Sequence, residues 1–374
     1  MQNVVIAGYL RSPFTPATKG ELARVRPDDM AAEIIKALVK QTGIDPKKIE
    51  DIKLGCAFPE GEQGLNVARL IGLIAGLPIS VAGVTTNRFC GSSMQAIHDA
   101  AGAIAFGSGE AFICAGVESM TRVPMTGFNP APNSKLFDDN PDAYESMGIT
   151  AENVAKKFKV SRKAQEEFAA ISQQKAAKAR DAGKLKDEIV PLGNVTQDGC
   201  IRPDTTPDTL AKLNPSFLKK GSVTAGTSSP LTDGAAAVLV TSEKFADENK
   251  LPKIARIKSF SVAGCDPAIM GIGPVAATKK ALERAGLKIS DIDIIELNEA
   301  FSSQSIACIN ELGIDVARVN LDGGAIAIGH PLGATGARIV GKAAALLKRE
   351  GKKYALATQC IGGGQGIATI LEAI

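Results

Sequence analysis

The sequence predicts an α/β protein built from two related halves, with a lobe inserted into the first. Three observations carry this reading. Short, β-branched apolar stretches alternate with helical ones from the N-terminus onward, which is the βαβ rhythm of an α/β fold. After Leu251 the order of the first half is replayed. Between Glu118 and about Ser229 the character changes, with Pro and Asn punctuating Pro124 to Pro141 and a charged helical stretch from Ala151 to Ala182.

Val4 to Tyr9 reads as a strand, Met30 to Gln41 as an amphipathic helix and Ile52 to Ala57 as a second strand. A helical stretch around Asn66 to Ala75 follows, then an apolar run from Ile79 to Val84. Met94, Ile97, Ile104 and Ala105 next recur at helical spacing until Gly107 and Gly109 stop the pattern. Ala111 to Val117 is almost unbroken apolar sequence, suited to a strand covered on both faces. Thr232 to Val240 returns to that composition and could supply a last strand to the first half, so the insertion interrupts one domain.

In the second half, Ile254 to Ser261 echoes the first strand. Ala277 to Lys288 followed by Ser290 to Leu297 repeats the helix, acidic link and strand of Ala32 to Leu54. A helix from Ala337 to Leu347 and strands at Tyr354 to Gln359 and Gly366 to Glu372 complete the parallel. The implied division is 1–118, completed by 230–250, then 119–229 as the inserted lobe, then 251–374.

Composition narrows the function. The 374 residues carry 43 basic and 40 acidic side chains without a basic block, so nothing calls for nucleic acid or a membrane surface. Seven scattered cysteines without Cys-x-x-Cys spacing argue against a disulfide framework and a zinc site, and for a reducing compartment. The opening Met-Gln-Asn-Val-Val-Ile enters a strand at once, and no run approaches membrane-spanning length. A cytoplasmic protein is expected. With two histidines, His98 and His330, imidazole chemistry has two candidates.

The chemistry concentrates at strand ends. Cys90 falls where apolar sequence gives way to a helix, a place where free N–H groups and the helix dipole favour thiolate. Gly91-Ser92-Ser93 beside it lets a substrate approach the backbone. In the register of the repeat, His330 occupies the turn equivalent to that of Cys90. Asn298-Glu299-Ala300-Phe301 and Cys360-Ile361-Gly362-Gly363-Gly364 follow two further strands. Open α/β sheets bind ligands at such ends. Singly, each has a plain structural reading as core cysteine, turn histidine or helix cap.

Together these four blocks, Asn87 to Ala96, Asn298 to Phe301, Gly323 to Ala334 and Cys360 to Gly366, resemble the thiolase family over nearly the whole chain. The resemblance implies two βαβαβαββ halves packed in five α-β-α-β-α layers, with a loop lobe in the first. It also implies roles: Cys90 as nucleophile, His330 as its base, Cys360 as the second acid and base, and Asn298 holding a water. The backbone N–H groups of Cys90 and Gly362 would serve the oxyanion of the attacked carbonyl. Coenzyme A would be a co-substrate, with no tightly bound cofactor and no metal. Its contacts would come from Ser229 and Arg202, with Phe217, Met147, Met270 and Phe301 near the pantetheine and acyl group.

Ser146, where short-chain biosynthetic members have His, and a short segment from Ser119 to Ser146 lean towards the branch that degrades 3-ketoacyl-CoA in β-oxidation, and towards a homodimer over a tetramer. A hydratase/dehydrogenase subunit is a partner known for such enzymes. The acetoacetyl-CoA-forming branch is the nearest alternative. A one-cysteine ketoacyl synthase is disfavoured by Cys360, a non-catalytic acyl-CoA-binding protein by the complete four-residue set, and a dinucleotide-binding protein by the lack of Gly-x-Gly-x-x-Gly after the first strand.

Overall fold

Every residue of β1 (Val4–Arg11), β5 (Ala111–Ser119) and β6 (Thr232–Ser242) is buried, and such strands need cover on both faces. In the computed structural model, which describes residues 2–374, that cover comes from helices on each side. The other strands are β2 (Thr15–Pro16), β3 (Asp51–Gly55), β4 (Ala82–Thr86), β7 (Ala255–Gly264), β8 (Ile294–Leu297), β9 (Tyr354–Ile361) and β10 (Gln365–Ala373). Their order is β4-β3-β5-β6-β1-β7-β10-β9-β8, with β2 attached to β6.

The replay seen in the sequence is written into this order. Reading outward from the centre, β1, β6, β5 and β3 match β7, β10, β9 and β8. Directions match as well: β3 runs parallel to β5 and β8 to β9, whereas β6 and β10 are antiparallel to both their neighbours. Among the described residues, the two sheet halves pair through Val5 against Arg256 and Ile6 against Ala255. β6 lies between β5 and β1 although the whole 119–229 segment intervenes in sequence.

Three cores make five layers. Helices Pro27–Thr42 and Val67–Ile74 cover the outside of the first half, and Gly273–Ala285 and Ser302–Leu312 the outside of the second. Between the two sheets lie helices Ser92–Phe106 and Leu332–Glu350, whose Met94, Ile97, Ile339 and Val340 share one core with both inner faces. Each such side chain taken from water contributes about 1.5–3 kcal/mol. The Leu332–Glu350 helix starts five residues earlier than its apolar periodicity predicts. Gly333 and Gly336 weaken that signal, yet the close approach needs them: a Cβ on Gly336 would meet the Met94 backbone, with Cα at 2.9 Å.

The second half differs from the first at its edge. Where β4 pairs with β3, the second half has a single bridge, Val319 beside Ile295. Asn320 replaces the missing ladder with its side chain, accepting from Leu297 N at 3.0 Å and donating to Leu297 O at 2.8 Å. A short helix, Ala325–Ile328, then leads to His330, where β4 led to Cys90.

The charged part of the inserted segment forms two helices, Met147–Lys157 and Arg162–Asp181, where the sequence suggests one stretch from Ala151 to Ala182. Lys159 at φ 54° makes the break. A buried charge network fastens this lobe to both halves. Arg11 pairs with Glu188 at 2.9 Å and Asp198 at 2.6 Å, Lys342 reaches Glu188 at 2.8 Å and Asp322 at 2.6 Å, and Arg349 caps Asp322 at 2.5 Å. These cations hold the Glu188 and Asp322 carboxyls below their ordinary range despite burial.

Candidate active site

Cys90 and His330 each stand two residues before a central helix, Ser92–Phe106 and Leu332–Glu350. Leu332, two residues after His330, packs in one buried cluster with Cys90, and Ala337 N bonds Ser93 Oγ at 2.8 Å, so the equivalent turns of the two halves come together. Gln359, one residue before Cys360, donates its side-chain amide to the carbonyl of Cys90. Ile361 packs so tightly on Gly91 that a Cβ there would come within 2.7 Å of its Cδ1. The backbone N–H of Gly362 favours the thiolate form of Cys90. The Cys90 turn and the Cys360 strand are thus in contact across the halves.

Burial decides the ionisation of both turns. The Cys90 thiol is pushed up to about 12 by desolvation, which outweighs the N–H groups of Gly362 and Cys90 that pull it down. This corrects the expectation of a helix-end thiolate: the residue is 7% exposed, and the first helical turn cannot offset the loss of water. Cys360 is likewise raised well above its ordinary value, by burial and then by Cys90. Burial lowers His330 to about 3, with the Arg338 charge adding to the effect. The resting site is therefore two neutral thiols and a neutral imidazole.

Asn298 follows β8, its N–H bonded to Thr358 O at 3.0 Å, so it does not cap a helix. Its Nδ2 lies 3.3 Å from His330 Nε2, while its Oδ1 is buried without a partner. A buried acceptor of that kind calls for a water or a ligand group. Glu299 turns away from the site. It accepts from Ser172 Oγ at 2.6 Å, Asn320 Nδ2 at 2.7 Å and Ile326 N at 3.2 Å, tying the lobe to the segment that leads into His330. His98, the other histidine, lies two turns along the helix from Cys90, stacks on Phe260 at 4.3 Å and bonds Thr369 at 2.8 Å.

The apolar residues singled out from the sequence gather around Cys360. Met270, Phe301, Ala151, Val223 and Cys360 share one buried cluster with Met147 against it. Phe217 meets Phe301 edge-on at 6.0 Å, and Met147 Sδ would lie 3.5 Å from a Cβ on Gly362. Ser229 N bonds Ala300 O at 3.0 Å, so its loop lies along the Asn298 to Phe301 block. Arg202 is exposed, with its N–H on Gln173, and stands apart from this cluster.

Three buried polar residues escaped the sequence reading. Glu118, near the end of β5, accepts from Ala57 N and Gly333 N at 2.8 Å, Gln63 Nε2 at 2.9 Å and Phe58 N at 3.2 Å, bracing the His330 helix against the Cys90 half. Burial raises its pKa, and those four donors oppose the rise. Gln359 clamps the Cys90 carbonyl, and Thr335 lies 2.6 Å from His330 Nδ1. Only a family-wide view of polar residues within apolar runs could have marked Glu118. Phe89, at φ 41°, holds the Cys90 turn in a strained left-handed conformation and packs on Phe58 at 5.9 Å.

Among the described residues there is no group of three or more side chains able to hold a metal ion, and no helix is long and apolar enough to cross a membrane. Comparison with known proteins gives a consistent result. A 3-ketoacyl-CoA thiolase of Bacillus subtilis is 47% identical, and one of Aliivibrio fischeri 48%, each alignment covering 100% of both chains. The crystal structure of human mitochondrial 3-ketoacyl-CoA thiolase in complex with CoA superposes with a TM-score of 0.93 at 37% identity, over 100% of this chain and 98% of that one. The models of the thiolase N-terminal domain and the thiolase C-terminal domain match residues 4–244 and 251–373, and the chain belongs to the thiolase family.

Proposed function

We propose that this protein is an acyltransferase that uses coenzyme A to cleave 3-ketoacyl-CoA into acetyl-CoA and a shortened acyl-CoA in fatty acid β-oxidation, carrying the acyl group on Cys90. The observation that supports it most is the meeting of the Cys90 and His330 turns beside Cys360 and Asn298. The full-length relatives named 3-ketoacyl-CoA thiolase support the substrate.

The chemistry follows from neutral groups. Cys90 Sγ attacks the C3 carbonyl carbon as its proton passes to His330 Nε2. The bond between C2 and C3 breaks, leaving its electron pair in an acetyl-CoA enolate, which takes the Cys360 proton. Cys360, now thiolate, accepts the proton of incoming CoA. The CoA sulfur attacks the acyl-Cys90 thioester, and the departing Cys90 sulfur regains its proton from His330. Cys90 N–H and Gly362 N–H serve the oxyanion at C3, while His330 Nε2–H and a water on Asn298 serve the enolate oxygen. A thiol held near 12 is a poor standing nucleophile, so each thiolate forms only as its proton is taken, which limits side reactions.

The 119–229 lobe forms the CoA side of the cleft, with Ser229 and Arg202 contacting coenzyme A and Phe217, Met147, Met270 and Phe301 flanking pantetheine. Residues 1–118 with 230–250, and 251–374, are the two halves. A cytoplasmic homodimer fits the free edge of β4, where Val84 is 41% exposed and the helix Val67–Ile74 packed against that strand exposes Leu70, Leu73 and Ile74. A hydratase/dehydrogenase subunit would dock elsewhere on that dimer.

Intact-mass measurement after mixing with 3-ketoacyl-CoA tests the reading. The wild type should carry the acyl group, Cys360→Ala should acquire it only slowly and from an acyl-CoA donor, without turnover, and Cys90→Ser should carry none. Normal CoA-dependent cleavage by Cys90→Ser would overturn it.

A further inference from the structure

The hydroxyl of Thr335 lies 2.6 Å from His330 Nδ1 and 3.1 Å from the carbonyl of Pro331. Thr335 is fully buried and His330 nearly so, so water does not compete for these contacts. A threonine hydroxyl carries one proton and can also accept. A threonine in the first turn of a helix commonly gives that proton to the carbonyl four residues back, which here is Pro331. The same oxygen must then accept from Nδ1–H. On the far side of the ring, Asn298 Nδ2 is a donor 3.3 Å from Nε2, and a donor there requires an unprotonated Nε2. Both sides of the ring agree on one tautomer.

We infer that Thr335 is a positioning residue that holds His330 with its proton on Nδ1, leaving the Nε2 lone pair directed at the site. This rests on the reading of His330 as the base for Cys90. The hydrogen-bond partners of the ring are a hydroxyl and an amide, and no carboxylate among the described residues bonds it. A carboxylate partner would stabilise an imidazolium and retain the proton. A neutral hydroxyl fixes the tautomer and ring angle without doing so. The proton taken from Cys90 is consequently held loosely and is available to return when the acyl group leaves. The same arrangement makes Nε2–H a donor only while the proton is in transit, when an oxyanion needs it.

The test exploits the presence of only two histidines, His98 and His330. Ring 15N shifts of the resting, histidine-labelled enzyme should show one imidazole with Nδ1 protonated and Nε2 bare, assigned to His330 by its disappearance in His330→Asn. In Thr335→Val, which removes the hydroxyl at nearly constant shape, that tautomer should become mixed. Its kcat should fall about 10- to 100-fold, part of the ~10²–10⁴-fold that a positioned base supplies, with KM for 3-ketoacyl-CoA little changed. Thr335→Ser should restore both the shifts and kcat, which separates loss of the hydroxyl from loss of packing. An Nε2-protonated His330 in the wild type, or wild-type kcat in Thr335→Val, would overturn the assignment of Thr335 while leaving His330 as base. Full activity in His330→Asn would overturn both.

Discussion

The two halves share a strand order and differ at two places, the turn before the central helix and the outer edge of the sheet. At the turn, one half presents Cys90 after Phe89 at φ 41°, and the other presents His330 after Gly329 at φ 112°. At the edge, β4 of the first half is open and apolar, whereas β8 is closed by Val319 and the Asn320 side chain. The lesson is a division of labour within one repeated fold. On the proposed mechanism, equivalent positions supply nucleophile and base, and the edge left unpaired in the first half is the one proposed to receive a second copy.

The comparison can be broken most severely at the turns. Cys90→Ser should lower thiolysis by on the order of 10⁴-fold or more, because the acyl carrier is lost, and steady-state rates with short- to long-chain 3-ketoacyl-CoA will show it. Near-wild-type rates would remove the asymmetry between the turns.

Next in size is the charge network that binds the lobe to both halves. Arg11→Ala leaves Glu188 and Asp198 buried with fewer partners, and should cost about 3–5 kcal/mol in denaturant unfolding. The Glu188 and Asp322 carboxyls are depressed in the folded state, so their stabilisation is present above the ordinary carboxylate pKa of about 4 and fades as pH falls through the lower folded values. The wild type should lose more stability than Arg11→Ala across that acid window. Equal losses would show that the network does not set the acid limb.

The edges give the third contrast. Val84→Lys on β4 should weaken self-association by about 10- to 100-fold in sedimentation equilibrium, since strand edges are blunted by lysine. Val316→Lys, exposed beside the closed β8 edge, should leave it unchanged. An equal effect at both would dismiss the β4 edge as the interface.

Smallest is the reactivity of the resting thiol. With its pKa near 12, Cys90 should be alkylated by iodoacetamide at least about tenfold more slowly at pH 8 than a free cysteine of pKa about 8.5. Peptide mapping over time would measure it. Faster alkylation would restore the helix end as the dominant influence.

Much of this was legible in the sequence because it lay in order and repetition. The helix, acidic link and strand before Leu54 recur before Leu297, and that recurrence alone places His330 opposite Cys90. What stayed hidden depends on neighbours distant in the chain. The remnant of β4 in the second half is one bridge at Val319, too short for any period to show. The early start of the Leu332–Glu350 helix was masked by glycines whose purpose is contact with Met94 and its surroundings. The high pKa of Cys90 follows from burial among Ala17, Ala57, Met120 and Leu332, which are distant in the chain. Thr335 had only its spacing from His330 to recommend it, and a threonine in a first helical turn is an ordinary residue.

The central claim is that the two turns act as one pair, with His330 taking the proton of Cys90. It is tested most directly by acylation of His330→Asn, with Cys90 intact, followed by rapid-quench intact-mass measurement on 3-ketoacyl-CoA. Acyl-enzyme should form more slowly than in the wild type by about 10²-fold or more. Acylation at the wild-type rate would contradict the pairing of the two turns.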